Sequence, residues 1–210
     1  MYLPELFAVT DDEEIDFILA NARLGCLVTR DADGFFGTHL PMLFDPARRV
    51  LAGHVARANP HPGRCGDGEA MAIFQGMDAY VTPNWYPSKL EHGRVVPTWN
   101  YEAAHVTGTL AWRSEPDWLR AHLAQLTDRF EKGRAKPWAL ADAPEDYLQK
   151  QFAGVVGVEL AVREVKVKRK LSQNRASADR MGVTAGLLDS DDPGDRAVGE
   201  RMAQGGAARR

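Results

Sequence analysis

Three short stretches of the sequence combine hydrogen-bonding and aromatic side chains at spacings that suit the binding of a ligand. The first, GHVARANP at 53–60, carries a histidine, an arginine and an asparagine where an apolar run turns into a loop that ends in proline. Arg57 and Asn59 would share one face of an extended chain. A guanidinium presents a rigid fork of donors that suits a phosphate group. Taken alone, however, the stretch is better explained by a surface arginine beside a turn.

The second stretch is YVTPNWYPSK at 80–89, in which three aromatic residues and two prolines surround Lys89. Aromatic density outside a periodic core run is typical of a ligand wall or an interface. Pro83 and Pro87 stiffen the loop, which lowers the entropy lost on binding. A loop packed over the core by its own aromatic residues explains the pattern equally well.

The third stretch is VPTWNY at 96–101. Thr98 and Asn100 alternate with Trp99 and Tyr101, so an extended chain would have one polar face and one aromatic face. This arrangement suits a planar heterocycle with hydrogen-bonding edges, and it suits a dimer contact equally.

The elements that position these stretches are short strands joined by tight links. A capping box at Thr10–Glu13 begins a helix, and Gly25 is expected to end it. The predicted strands are Cys26–Thr29, Phe35–Phe44, Arg49–Ala56, Met71–Phe74, Ala79–Thr82, Glu102–Trp112 and the alternating segment Val156–Val167. Such a series favours an antiparallel meander or barrel over a parallel sheet.

Helices are predicted in the second half of the chain. Ser114 is expected to cap one with a stripe of apolar residues, Leu119, Leu123, Leu126 and Phe130. A shorter helix runs from Pro144 to about Phe152, and Asp192-Pro193 opens a last helix before a frayed tail at 205–210. The segment 176–188 is interrupted by two glycines, so it shows no recognition-helix motif.

The composition narrows the class of protein. With 210 residues, 44% of them hydrophobic, and a formal charge of −3, the chain suits one compact domain without a general nucleic-acid footprint. No apolar run approaches the ~20 residues of a membrane span, and the first residues do not resemble a signal peptide. Two separated cysteines indicate a cytosolic protein with reduced thiols.

The sequence argues against a metal site and against a serine-hydrolase site, and it contains one basic run. His54, His61 and Cys65 are the closest grouping of metal-ligand types, but no second pair accompanies them, so no metal site is expected. No GxSxG elbow occurs. In the basic run 163–170, Lys166, Lys168 and Lys170 would form a cationic ridge, which is either a solvated face or a contact for the DNA backbone.

Five stretches together resemble a known family. They are HLPML (39–43), GHVARANP, YVTPNWYPSK, VPTWNY and KLSQNR (170–175), and they resemble the PaiB-like FMN-binding transcriptional regulators. Those proteins are similar to the pyridoxamine-phosphate-oxidase-like split barrels. The resemblance implies a mainly β fold, an FMN-binding split barrel (an antiparallel Greek-key barrel) with peripheral α-helices over residues 1–190. A C-terminal helix and tail follow at 191–210.

The same resemblance implies a cytoplasmic homodimer with FMN in a cleft between subunits. The residues that it assigns to FMN are His39, Leu40, Pro41, His54, Arg57, Asn59, Lys89, Thr98, Trp99, Asn100, Ser172, Gln173 and Asn174. Arg57 and Asn59 are expected to hold the phosphate, with Lys89 adding positive charge. The residues at 39–41 approach the flavin ring, those at 98–100 come from the aromatic loop of either subunit, and those at 172–174 close the site.

Three functions are compatible with this resemblance. The first is a regulatory flavoprotein that acts on transcription through DNA or another regulatory protein. The second is an FMN-dependent oxidoreductase that moves electrons between a nicotinamide or other donor and a small acceptor, in which the flavin carries the chemistry. The third is a flavin-carrying protein with a storage or stress role. No residue stands out as a necessary proton donor, so no catalytic residue is assigned and the question of enzyme activity stays open.

Overall fold

The computed structural model describes residues 1–207, with side chains described through Gln204. The strands are β1 (Ala8–Val9), β2 (Leu24–Asp31), β3 (Gly34–Asp45), β4 (Val50–Ala56), β5 (Gly68–Val81), β6 (Thr98–Arg113) and β7 (Val155–Lys170). The α-helices are α1 (Asp12–Asn21), α2 (His61–Cys65), α3 (Ser88–His92), α4 (Pro116–Glu131), α5 (Glu145–Ala153), α6 (Ser177–Leu188) and α7 (Pro193–Ala207). No helix in the described part of the chain has the length and apolar character needed to cross a membrane.

The strands form one sheet in the order β1-β7-β4-β3-β2-β5-β6, and β7 also pairs with β6. This last pairing closes a ring of strands. The pairs β1–β7, β2–β3, β2–β5, β3–β4 and β4–β7 are antiparallel. The predicted mainly β, antiparallel barrel with peripheral helices is therefore confirmed.

The contacts within the chain define two compact units. The first unit contains Met1–Asp11, Gln75–Ala104 and the chain from Lys166 onward. The second unit contains Asp12–Phe74 and His105–Val165.

The core of the second unit is formed by inward-facing residues of alternating strands, among them Leu27, Leu51 and Leu160, all fully buried. Gly25 belongs to this packing, because a Cβ there would lie 2.5 Å from the ring of Phe74. The predicted helix stop at Gly25 is therefore wrong. Helix α1 ends at Asn21, and Gly25 lies inside β2.

The core of the first unit joins the end of β5 to helices α6 and α7. Its buried members are Ala79, Val81, Tyr86, Leu171, Val183, Leu187, Val198 and Met202. Helix α6 is continuous, so the predicted interruption by Gly182 and Gly186 is wrong. A Cβ at Gly182 would overlap the Trp85 carbonyl oxygen, and one at Gly186 would overlap the Trp85 ring. The glycines thus permit close packing of α6 on the loop that contains Trp85.

Strand β5 is continuous where two strands were predicted. Its buried side chains have even numbers up to Phe74 and odd numbers from Ala79 onward. The inward face therefore changes within one strand, and this change of face produced the apparent gap in the hydrophobic pattern.

Two helix ends also differ from the prediction. Helix α4 begins at Pro116 with Glu115 as its N-cap, so Ser114 is not the cap. The predicted stripe holds for Leu119, and His122 is buried beside it. Helix α7 begins as predicted after Asp192 but continues to Ala207, so the predicted tail is wrong for 205–207. Residues 208–210 of that tail lie outside the described residues.

Candidate functional site

Arg57 lies in the second unit, immediately after the end of β4. Residues 57–58 form a turn, so Arg57 and Asn59 do not share one face of an extended chain as predicted. The Arg57 Nε donates to the Ala153 carbonyl at 2.5 Å, and its Nη2 donates to the Val155 carbonyl at 2.8 Å. These carbonyls flank the junction between α5 and β7. The guanidinium is therefore fixed in position by two backbone carbonyls and exposed.

Asn59 belongs to a buried hydrogen-bond chain centred on His61. Its Nδ2 donates to the Thr38 Oγ1 at 3.3 Å, and its Oδ1 accepts from the His61 amide at 2.9 Å. The His61 Nδ1 lies 2.8 Å from the Thr38 Oγ1, and its Nε2 lies 2.8 Å from the Thr29 Oγ1. Burial is the main cause that lowers the pKa of His61, and the charge of Arg64 acts in the same direction. The backbone amide of His61 therefore holds Asn59 directly, and the neutral imidazole holds it through Thr38.

The donors and acceptors in this series of hydrogen bonds follow from the single hydroxyl proton of Thr29. The Thr29 hydroxyl donates to the Cys65 Sγ at 2.7 Å. Because Thr29 has one hydroxyl proton, it must accept from the His61 Nε2, and the His61 Nδ1 then accepts from Thr38. Sequence reasoning considered His61 only as a metal ligand. It missed that His61 follows Asn59 by two residues, a spacing at which an asparagine side chain can accept from the backbone amide.

His54 points to a second histidine. Its Nδ1 lies 3.2 Å from the Nε2 of His122 on α4, and the Trp118 ring stacks on His122 with 5.0 Å between centroids. His122 is 4% exposed. Burial, and then the charge of His54, lowers the pKa of His122 to about 4, while Glu159 acts in the opposite direction. The role of His54 toward FMN remains a prediction, and its contact with His122 is one that sequence reasoning missed.

A buried carboxylate supports this pair. Glu159 accepts hydrogen bonds from Trp118 at 3.1 Å and from Arg113 at 2.8 Å, and it pairs with Arg48 at 3.1 Å. Burial alone would raise the pKa of Glu159, but these donors together lower it. Glu159 thus stays ionised and holds the Trp118 indole against His122.

The segment 39–41 lies on β3, paired with β2. His39 is exposed and Pro41 is half-buried, so both lie on the outer face. Leu40 is buried in the core, with its Cδ1 2.7 Å from where a Cβ of Gly53 would lie. Any contact of Leu40 with a ligand would therefore come from its backbone.

In the first unit, Thr98 and Trp99 contact Lys170, which the sequence analysis did not assign to FMN. Lys170 donates to the Thr98 Oγ1 at 2.7 Å and to the Trp99 carbonyl. Burial lowers the pKa of Lys170, and the charges of Lys168 and Arg175 add to this effect. Trp99 itself is 52% exposed and meets the Tyr80 ring edge-on at 6.0 Å. An exposed aromatic side chain therefore lies next to a half-buried lysine that donates to its backbone carbonyl.

The polar residues of 172–173 turn inward. The Ser172 hydroxyl donates to the Asn100 Oδ1 at 3.1 Å, and the Asn100 Nδ2 donates to the Met202 Sδ at 3.3 Å. Gln173 accepts from the Leu171 amide and donates to the Arg169 carbonyl, both at 2.6 Å. These bonds stabilise the turn after β7, in which Ser172 has a φ of 61°. The structure thus brings 98–100 together with 172–173.

The remaining assigned residues lie outside this group. Lys89 donates to Asn84 at 2.5 Å within its own loop, and Asn174 is exposed. In that loop Tyr86 is buried and Trp85 packs on the core, as the alternative interpretation of the stretch predicted.

The predicted cationic ridge is not a solvated face. Lys168 is buried, donates to the Tyr2 carbonyl at 3.2 Å, and lies 5.3 Å from the centroids of the Tyr2 and Tyr101 rings. Lys170 is bound as described above. The prediction of a solvated face is therefore wrong at Lys168, which two tyrosine rings and a backbone oxygen cover, and at Lys170, which donates to Thr98 and the Trp99 carbonyl.

Comparison with known proteins defines the class. The closed antiparallel barrel is that of the FMN-binding split-barrel proteins. The chain belongs to the family described as "Putative FMN-binding domain", whose model matches residues 1–164. It is 33% identical over 207 residues, 96% of both chains, to the "Protease synthase and sporulation protein PAI 2" of Bacillus subtilis (strain 168). The predicted resemblance to PaiB-like proteins is therefore confirmed.

Solved structures share the fold at low identity. The FAD and heme binding protein from Mycobacterium smegmatis superposes with a TM-score of 0.60 at 19% identity, covering 83% of this chain and 78% of that one. The conserved hypothetical protein Rv2991 from Mycobacterium tuberculosis gives a TM-score of 0.57 at 14% identity, with 80% and 90% covered.

FMN is the cofactor that the family assigns, and the donor set fits it. Arg57 offers an exposed, anchored guanidinium of the kind that binds phosphate. In the first unit, taken by itself, Trp99 offers an exposed ring of the kind that stacks on a flavin, and Lys170 donates to its backbone carbonyl.

Proposed function

We propose that this protein is a regulatory flavoprotein, a cytoplasmic homodimer that binds FMN and acts on gene expression. The observation that carries this proposal is the similarity to the Bacillus subtilis relative, which spans 96% of both chains. The name of that relative connects it to protease synthesis and sporulation. Similarity over nearly the whole length supports a shared role more strongly than similarity limited to the barrel would.

Each unit by itself carries residues that we propose to contact FMN. In the second unit, Arg57 binds the phosphate and the His61 chain holds Asn59 for the same task. In the first unit, Trp99 contacts the flavin ring beside Lys170. When bound, FMN supplies the electron-transfer chemistry, and the protein supplies position and charge.

The proposal of a homodimer rests on exposed apolar side chains in the first unit. Tyr80, Leu90, Val96 and Trp99 are all exposed. Large apolar residues clustered in sequence at the surface are typical of a protein interface. A partner subunit that covers them would enclose the flavin at the same time.

The mode of regulation that we favour is through a protein partner or a flavin-dependent change. The burial of Lys168 removes one candidate contact to the DNA backbone. The chain as a whole is slightly acidic, with a formal charge of −3. Direct DNA binding therefore has little electrostatic support.

One observation favours the alternative, an FMN-dependent oxidoreductase. Lys170 combines a lowered pKa with a position beside the residues assigned to FMN. Groups with perturbed pKa values cluster at functional sites. An ammonium in such a position stabilises negative charge on a neighbouring ligand.

A single experiment separates the two functions. FMN-loaded protein is mixed with NADH or NADPH under nitrogen, and the flavin absorbance is followed before and after an acceptor is added. The regulator hypothesis predicts that the flavin absorbance bleaches slowly or not at all. It also predicts that the protein retains a specific promoter or captures a partner protein, and that this binding depends on FMN and persists at raised salt. Rapid bleaching and reoxidation over many cycles, without FMN-dependent binding, would support the oxidoreductase instead.

A further inference from the structure

A second cluster of cations in the second unit lines an open cleft at the C-terminal ends of α1 and α4. The cleft has a volume of about 470 Å³ and is lined by Asn21, Arg23, Arg129, Phe130 and Lys132. None of these residues belongs to the set assigned to FMN. The volume lies within the range of small-molecule sites, about 300 to 1,000 Å³.

The positive charge of this cleft is not neutralised by acidic side chains. Within the described residues, Arg23, Arg129 and Lys132 form no ion pair. The neighbouring Glu131 pairs with Arg134 at 3.3 Å and accepts from the Trp138 amide at 3.0 Å.

The helix ends supply only part of the missing negative charge. A helix C-terminus carries roughly half a negative charge, so α1 and α4 together offset about one of the three cations. About two positive charges remain to attract an anion.

Arg129 shows the clearest need for a ligand. Its Nε is buried and has no hydrogen-bond partner among the described residues. A buried donor without a partner is costly and uncommon in folded proteins. An oxyanion in the cleft would pair with the half-buried guanidinium and offset this cost.

The aromatic ring in the cleft holds two of the cations in place. The Arg129 guanidinium lies 5.7 Å from the Phe130 centroid, and the Arg23 guanidinium lies 5.9 Å from it. Contact with one ring restricts both side chains, which lowers the entropy lost when they bind a ligand.

We propose that this cleft is a second anion site, which binds a small phosphorylated ligand with at least two negative charges. A phosphate group offers three strong acceptor oxygens, and three separate cations surround the cleft. A carboxylate offers two oxygens in one plane and matches a single guanidinium. The site is independent of the FMN phosphate contact at Arg57.

The test uses inorganic pyrophosphate as the probe and protein saturated with FMN, so that the flavin site is already filled. Isothermal titration calorimetry at low ionic strength should detect pyrophosphate binding that weakens with added salt. Arg129→Gln should weaken it about tenfold or more, because a charge-assisted hydrogen bond from the half-buried guanidinium is lost. Arg23→Gln and Lys132→Gln should each weaken it less, since both residues are exposed.

Arg30→Gln is the matched control. Arg30 is exposed and lies 5.9 Å over the Phe35 ring, as Arg23 lies over Phe130, but it is outside the cleft. The Arg30→Gln variant should bind pyrophosphate with the affinity of the wild type. If Arg129→Gln fails to fold, as circular dichroism would show, the pyrophosphate affinities of Arg23→Gln and Lys132→Gln test the proposal in its place.

Three results would overturn the proposal. One is the absence of pyrophosphate binding by the wild type at millimolar concentration and low salt. Another is an equal loss in Arg30→Gln and the cleft variants, which would reflect general charge. A third is that citrate, or a single-stranded oligonucleotide, binds through the same residues more tightly than pyrophosphate does. That result would assign the cleft to carboxylates or to nucleic acid.

Discussion

The Nδ1 of His54 lies 3.2 Å from the Nε2 of His122, so two imidazole rings share one hydrogen bond in a largely buried site. One nitrogen donates and the other accepts, which requires that at least one ring be neutral. The second nitrogen of His122, Nδ1, is buried without a partner among the described residues. A proton added to this pair would therefore be poorly solvated.

The histidine pair predicts an acid-sensitive stability. The pKa of His122 falls from its ordinary value of 6.5 to about 4 in the folded protein. The unfolded chain binds a proton below pH 6.5 while the folded chain does not, so stability is full above that pH and is lost as the pH falls toward 4. The loss should reach about 3 kcal/mol. Urea unfolding at several pH values measures it.

The control for this prediction is a histidine at the surface. His122→Leu should reduce the pH dependence between 6.5 and 4, whereas His92→Gln, at an exposed position, should leave it unchanged. Equal slopes in all three proteins would show that His122 does not titrate as described.

Arg57→Ala should weaken FMN about 10- to 100-fold, because charge-assisted hydrogen bonds to the phosphate are lost. Riboflavin, which has no phosphate, should lose far less. Fluorescence titration with both ligands measures the difference. Arg134→Ala is a suitable control, since its Nε also donates to a backbone carbonyl, at 3.3 Å. Losses of the same size for FMN and riboflavin would refute the phosphate role of Arg57.

Trp99→Ala should weaken FMN and riboflavin alike, because a stacking surface serves the ring that both ligands share. The loss should be on the order of 10-fold, about 1.5 kcal/mol. The same variant should lower the dimer mass observed by light scattering at micromolar concentration. Trp138→Ala, at another exposed tryptophan, should change neither property. Unaltered flavin affinity in Trp99→Ala would remove Trp99 from the site.

Gly182→Ala should destabilise the protein by about 1–3 kcal/mol, because a methyl group there overlaps the backbone of Trp85. Gly63→Ala is the matched control in another helix, where a Cβ meets nothing within 4 Å. That change should be neutral or slightly stabilising. Denaturant midpoints measure both, and a neutral Gly182→Ala would contradict the close packing of α6.

Local patterns in the sequence predicted much of the fold. The short apolar run in β2, the turn before Gly34 and the start of α7 after Asp192 all depend on neighbouring residues, which a sequence displays directly. Strand β5 was divided because its inward face changes near Gln75, which interrupts the alternation of buried and exposed residues.

The candidate site was less predictable, because its side chains are held by distant partners. Arg57 donates to a carbonyl 96 residues away, and His54 contacts a histidine 68 residues away. Lys168 is covered by Tyr2, at the other end of the chain. A sequence shows the type of each side chain but not the partner that binds it, so the resemblance identified the cofactor while the contacts required the structure.

The most direct test of the account is size-exclusion chromatography of the purified protein with FMN, monitored by flavin absorbance and light scattering. We expect flavin absorbance to coincide with a dimer, and a monomeric fraction to carry little flavin. Protein that remains colourless after incubation with FMN, or flavin that elutes with a monomer, would contradict an FMN site completed by two subunits.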